Sequence, residues 1–125
     1  MEFNDKVPIY YQIKQYIYKE IIIGHLTPGA KIPAVRQLAL DLTVNVNTVQ
    51  RSLSELINEG VLESQRGKGN FVTTNTEILE NLRKNVVEEQ LALVYDHLAS
   101  LQITPDEMIR ALSTYIDKRK EEDHG

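Results

Sequence analysis

Between Val44 and Gly60 the apolar residues Val49, Leu53, Leu56 and Ile57 recur at i, i+4, i+7 and i+8. That spacing is the buried stripe of one helix. Asn45 suits the N-cap and Gly60 the C′ position, so both ends of the helix are marked. Asn47, Thr48, Gln50, Arg51 and Ser54 point away from the stripe, and the first turn holds amide, hydroxyl and guanidinium groups without an acid. Such a face can donate and accept hydrogen bonds without repelling a polyanion. Asn and Gln can pair bidentately with adenine and Arg with guanine, which is what a major-groove reader requires. Taken alone, the stretch reads first as an amphipathic helix with a solvated outer face, and its neighbours reverse that order.

Upstream, Pro8 fits the first position of a helix, where its missing N–H costs nothing. Ile9, Ile13, Tyr16, Ile17 and Ile21 continue as a broad apolar face to Gly24, with Tyr10, Tyr11 and Tyr18 as amphipathic packing residues. Leu26-Thr27-Pro28-Gly29 is a turn. The run Gly24 to Lys31 is not a phosphate loop, because Ala30 separates Gly29 from Lys31 and Ile32 stands where Ser or Thr is needed. Lys31-Ile32-Pro33 is extended, and Ala34 to Leu42 is a brief helix with Val35, Leu38, Ala39 and Leu42 inward. Thr43-Val44 then turns into the opening helix, giving helix-turn-helix organisation.

After Gly60 the period shortens. Val61 to Gln65 and Asn70 to Thr74 are strand-like, separated by Arg66-Gly67-Lys68-Gly69. A Gly-rich basic turn is by itself a solvated hairpin; directly after a helix-turn-helix it is a wing, whose Arg66 or Lys68 can enter a minor groove or clamp phosphates.

The last fifty residues are helical. Leu79, Leu82 and Val86 form one stripe; Val87, Leu91, Val94, Leu98 and Leu101 form another, spaced 4, 3, 4, 3. The phase slips near Arg83-Lys84-Asn85, so the early turns are expected to pack on the winged domain and the later ones on a partner helix. Thr104-Pro105-Asp106-Glu107 is a capping box. It opens a second helix with Met108, Ala111 or Leu112, Tyr115 and Ile116 as its stripe, expected to dissolve into Lys118 to Asp123. Dimerisation is the economical way to cover such faces, with packing back on the first domain as the alternative. The expected fold is mainly α with a small β-hairpin: residues 1–75 a winged helix-turn-helix, residues 76–125 two dimerisation helices.

Charge supports the same division. The net charge is −4, but residues 1–75 hold eight Lys/Arg against seven Asp/Glu, while residues 76–125 hold six against eleven. The acidity therefore lies in the tail, and Arg36, Arg51, Arg66 and Lys68 accompany the polar helix. With no cysteine, disulfides and cysteine-ligated zinc are excluded. No apolar run exceeds Ile21-Ile22-Ile23 enough to span a bilayer, and the expected location is cytoplasmic, away from membranes. His25, His97 and His124 lack metal-ligand spacing or a paired nucleophile, so the sequence offers no enzyme site, metal site or cofactor site.

Pro8-Ile9-Tyr10-Tyr11-Gln12-Ile13, Gly24 to Gly29, Leu38-Ala39, Asn47-Thr48-Val49, Glu59-Gly60 and Gly67 to Val72 resemble the N-terminal winged helix-turn-helix of the GntR family of bacterial transcription regulators. The helical tail is similar to the small YtrA-type subgroup, which carries two C-terminal helices for dimerisation and no large effector domain. The resemblance implies that Arg36 and the start of the recognition helix approach bases and phosphates, that the wing tip at Arg66 and Gly67 lies over the minor groove, and that Tyr10 lies near phosphate. The sequence departs from many members at Ala34, where they have Ser, at Thr43-Val44-Asn45-Val46, where they have Gly-Val-Ser-Arg, and at Gln50, often Arg.

The function expected is therefore a homodimeric, sequence-specific repressor on a pseudo-palindromic operator of double-stranded DNA. By resemblance the target is a transporter operon or the regulator's own operon, with a small-molecule effector at the dimer interface. Its DNA-binding residues are expected to be Tyr10, Arg36, Asn45, Asn47, Thr48, Gln50, Arg51, Arg66, Gly67 and Lys68. Its dimer interface is expected to use Val87, Leu91, Val94, Leu98, Leu101, Met108, Leu112, Tyr115 and Ile116. The competing reading is a winged-helix module that binds a protein, since fold does not fix function.

Overall fold

A computed structural model describes residues 2–124. The elements run α1 (Ile9–Ile22), α2 (Val35–Leu42), α3 (Val46–Asn58), β1 (Leu62–Gln65), β2 (Gly69–Val72), α4 (Thr76–Ser100) and α5 (Pro105–His124). They make an N-terminal winged helix-turn-helix followed by two C-terminal helices. The chain divides into two compact units, Met1–Lys84 and Asn85–Gly125, at the point where the apolar spacing of α4 slips.

The core of the first unit joins three helical stripes: Ile13, Ile17 and Ile21 of α1, Leu38, Ala39 and Leu42 of α2, and Val49, Leu53 and Leu56 of α3, closed by Ile32, Val61, Leu62 and Val72. Four residues expected on those stripes lie at or beyond their edges. Ile9 is 44% exposed, and Tyr16, Val35 and Ile57 are half-buried. The centre of the α3 stripe is instead Ser52, fully buried, because it stands three residues after Val49 and four before Leu56. Its hydroxyl donates to the Tyr10 carbonyl at 2.8 Å and is 3.1 Å from that of Thr48.

Pro8 is the N-cap of α1, one position earlier than expected. Its extended backbone leaves its carbonyl to accept from the N–H groups of Tyr11 and Gln12. Gln12 then holds the preceding loop, donating to the carbonyls of Asn4 and Val7 and accepting from the Asn4 N–H.

Three helices end alike. At α2, α3 and α4 one residue turns left-handed, and paired bonds of the 6→1 and 5→2 kind close the last carbonyls. In α3 that residue is Gly60, but in α2 it is Thr43 and in α4 Gln102, at φ of 57° and 62°. The turn between α2 and α3 thus holds a β-branched residue in a conformation that favours glycine.

The wing is an antiparallel hairpin pairing Leu62 with Val72 and Gln65 with Gly69. Its second strand begins and ends earlier than the sequence pattern suggests. The Thr73 hydroxyl accepts from the N–H of Asn75, and the Asn75 side chain caps α4 through the N–H groups of Glu77 and Ile78. This cap takes the chain out of the sheet. On the other edge, Ile32 N–H donates to the Asn70 carbonyl and Val72 N–H to that of Ala30, both at 2.9 Å, so the segment after the Pro28-Gly29 turn braces the hairpin.

In the second unit, Thr104 caps α5 by accepting the Glu107 N–H at 3.3 Å. The return link of the expected capping box is made between side chains, the Thr104 hydroxyl donating to the Glu107 carboxylate at 3.1 Å. The helix does not dissolve at Lys118; it runs on to His124. Lys, Arg and Glu are strong helix formers, and Arg119 meets Glu122 one turn on.

Candidate nucleic-acid interface

The polar face is assembled where the start of α1 meets the start of α3. Ser52 fixes the Tyr10 backbone from below. Above it, the Arg51 guanidinium lies 3.7 Å from the centre of the Tyr10 ring, a cation–π contact. Ile9, Tyr10, Asn47, Thr48 and Arg51 line one shallow depression, so four residues expected at the interface from separate parts of the sequence share a single surface. Gln50 is exposed on the adjoining turn.

Asn45 has a structural task here. Its side-chain oxygen accepts the Asn47 N–H at 2.7 Å, capping α3 as its position suggests. Arg36 is exposed on the first turn of α2, whose N-cap Ala34 supplies no side-chain bond. At the wing tip, Lys68 N–H closes the turn onto the Gln65 carbonyl at 2.9 Å, and Gly67 takes a φ of 76°. Arg36, Arg66 and Lys68 enter no ion pair among the described residues.

The electrostatics separate the first three helices from the last two. The first turns of α1, α2 and α3 contain no acid, whereas α4 starts with Glu77 and α5 with Asp106 and Glu107. The N-termini of α4 and α5 therefore carry compensating negative charge of their own, which those of the first three helices lack. The acid within α3, Glu55, falls in its second half, and Glu59 is its C-cap. Both are held by Lys14 of α1, whose Nζ lies 3.1 Å from Glu55 and 3.2 Å from Glu59, and the Tyr18 hydroxyl donates to Glu59.

Sequence reasoning passed over Lys14, Ser52 and Lys31. The signal for Lys14 was present: it stands seven residues before Ile21, two turns along the same stripe. Lys31 forms a bridge to Phe71 of the wing, and its side chain lies over Gly69, where an added Cβ would be 2.9 Å from Lys31 Cε. This places a further base against the second strand of the wing, which the chain order hides.

A helix-turn-helix whose second helix opens on an acid-free turn, followed by a hairpin with a basic tip, is the architecture of a DNA-binding regulator. Residues 9–72 match the family model for bacterial regulatory proteins of the gntR family. Over 116 residues the chain is 34% identical to the HTH-type transcriptional regulator YhcF of Bacillus subtilis, covering 93% of this chain and 96% of that protein. It is 33% identical over 124 residues to the HTH-type transcriptional repressor YtrA of the same organism, covering 96% and 95%. Among solved structures, a GntR family transcriptional regulator from Listeria monocytogenes superposes with a TM-score of 0.84 at 31% identity, covering 90% of this chain and 98% of that one. The DNA-binding domain of AraR in complex with operator ORX1 superposes at 0.53 and 30% identity, covering 58% and 89%. The chain belongs to the GntR family of DNA-binding transcription regulators, a family of regulators and not of enzymes. It stands close to the short YtrA and YhcF proteins over nearly its whole length. No helix among the described residues is long and apolar enough to cross a membrane.

Proposed function

We propose that the chain is a homodimeric repressor that binds a pseudo-palindromic operator, with the start of α3 in the major groove and the wing over the flanking minor groove. The observation that carries this reading is the shared surface of Tyr10, Asn47, Thr48 and Arg51, with Gln50 exposed on the same helix and Arg36 exposed on α2. Asn47 and Gln50 supply adenine contacts, Arg51 and Arg36 supply guanine or phosphate contacts, and Arg66 and Lys68 supply the minor-groove flank. Asn45 contributes by capping the helix that presents them. The repressor YtrA and the operator-bound AraR domain support the same role by likeness.

The dimer reading rests on the second unit, where Val87, Leu91, Val94, Leu101, Leu112, Tyr115 and Ile116 are all exposed in the single chain, with Leu98 and Met108 half-buried. A soluble helix pair does not leave such a stripe to water, and a second copy covers it. Leu93, Tyr95 and Ile109 are also exposed and lie outside the expected seam, so the contact is wider than one heptad stripe. A small-molecule effector acts by binding two dimer arrangements unequally and so changing the spacing of the two recognition helices. The target is the operon encoding this regulator or a transporter operon.

A mobility-shift assay with the promoter upstream of its own reading frame tests the interface. Arg36→Ala and Gln50→Ala are each expected to lose about 1–3 kcal/mol of operator binding. Unchanged binding in both overturns the assignment of those residues.

A further inference from the structure

Lys14 is a charged side chain that the reading above leaves unused. It is buried at 11% side-chain exposure, yet it connects to the polar face. Its Nζ lies 3.1 Å from Glu55 Oε1. The other oxygen of the same carboxylate, Oε2, lies 3.4 Å from Arg51 Nε, and the Arg51 guanidinium stacks on Tyr10 at 3.7 Å. Four side chains in series thus run from the α1–α3 core to the surface that faces DNA. Burial opposes the charge on Lys14, but the hydrogen bonds and charges of Glu55 and Glu59 outweigh it and raise its pKa. The Lys14 hydrogen bond is in turn the main cause that lowers the pKa of Glu55. The Lys14–Glu55 pair is therefore charged on both sides throughout the neutral range.

An exposed Arg–Glu pair one turn apart is loose, because both side chains keep many rotamers. Here the carboxylate is held from behind, so Arg51 meets it in one place, and the Tyr10 ring fixes the plane of the guanidinium. Tyr10 is itself pinned by Ser52. These contacts use one nitrogen and one face of Arg51. The two terminal nitrogens, which form the fork that reads a base or clamps a phosphate, take no protein partner among the described residues. The rotamer entropy of Arg51 is therefore lost on folding and not on binding.

We propose that Lys14 is a positioning residue for DNA readout: without touching DNA it fixes Glu55, and through Glu55 it fixes Arg51, so that its loss lowers discrimination between operator and unrelated duplex. The inference rests on Arg51 lying at the DNA interface.

The test uses the full chain to enrich duplexes from a random library, then compares the enriched duplex with a scrambled one by fluorescence anisotropy in a salt series. Lys14→Met is expected to lower the ratio of the two affinities about tenfold, with the salt slope on scrambled duplex unchanged. In an Arg51→Ala background the same substitution should alter the ratio less than about twofold. Lys14→Arg, which keeps charged donors at the site, should recover most of the discrimination. If circular dichroism shows that Lys14→Met does not fold, Glu55→Gln cuts the relay one link further out, leaves the Lys14–Glu59 pair, and carries the same expectations. Equal losses with and without Arg51, an unchanged ratio, or a salt slope reduced by about 1 unit as for a direct phosphate contact, would each overturn the proposal. A wild-type chain that enriches no duplex overturns the interface reading itself and this inference with it, whereas enrichment with uncoupled variants overturns this inference alone.

Discussion

Replacing Thr43 by glycine is expected to stabilise the first unit. Thr43 sits at φ 57° and ψ 51° beyond the end of α2, and its N–H and that of Val44 close the helix onto Leu40 and Ala39 at 3.3 and 3.0 Å. Those bonds are made by the backbone and survive the change, while the side chain is exposed. A residue with a Cβ held left-handed costs about 1–2 kcal/mol, and a branched Cβ lies toward the upper end. Glycine removes that strain but loses about 0.5–1 kcal/mol more backbone entropy on folding. The net gain is about 0.5–1 kcal/mol, which for a unit of this size raises Tm by about 2–8 °C. Thermal and urea unfolding followed by circular dichroism measure it, with Thr43→Ala as the control that keeps a Cβ and gains little. A Tm equal to or below that of the parent would refute the reasoning, because it would mean that the turn carries no left-handed strain at this position.

Three further outcomes follow from contacts in the same unit and its neighbour. Ser52→Ala removes the fully buried hydroxyl that holds the Tyr10 carbonyl and should cost about 1–2 kcal/mol in urea unfolding, with weaker operator binding as the first turn of α1 loosens. Lys14 adds stability that is complete below the ordinary lysine value of 10.5 and is lost as pH rises through its raised pKa. Urea titrations above that value should therefore show the wild type losing stability while Lys14→Arg, still charged, keeps its share. Glu55, lowered from 4.5 chiefly by the Lys14 hydrogen bond, gives the opposite limb: its contribution is complete above 4.5 and is lost as pH falls through the lowered value. Leu91→Glu combined with Leu112→Glu should yield a monomer by sedimentation with an unchanged first unit, and a persistent dimer would remove these two faces from the interface.

The winged helix-turn-helix was legible because its helices are amphipathic at one period and its wing at another, with Pro8, Gly60 and the Gly-rich tip as punctuation. Local chemistry accounts for most of what differed. The Asn75 cap ended the wing early, and the strong helix formers after Lys118 carried α5 onward. What the sequence could not display was partnership across distance. Lys14 and Glu55 stand 41 residues apart, and each reads singly as a solvated charge. Tyr10 and Arg51 were recognisable as separate candidates for the interface, but their stacking arises from the packing of α1 on α3. Ser52 joins the same pair of helices, and a serine on an apolar stripe gains its meaning only from the carbonyl it meets.

The central claim is that the acid-free start of α3 reads a specific duplex, and fluorescence anisotropy with the promoter upstream of this regulator's own reading frame tests it most directly. A scrambled duplex serves as control, and salt is varied from about 50 to 200 mM, a range over which a protein making 6–10 phosphate contacts loses about 10³–10⁵ in affinity. The account predicts tight binding to the native fragment, weak binding to the scrambled one, and a steep fall of both with salt. Equal and weak binding to the two duplexes, or binding indifferent to salt, would contradict it.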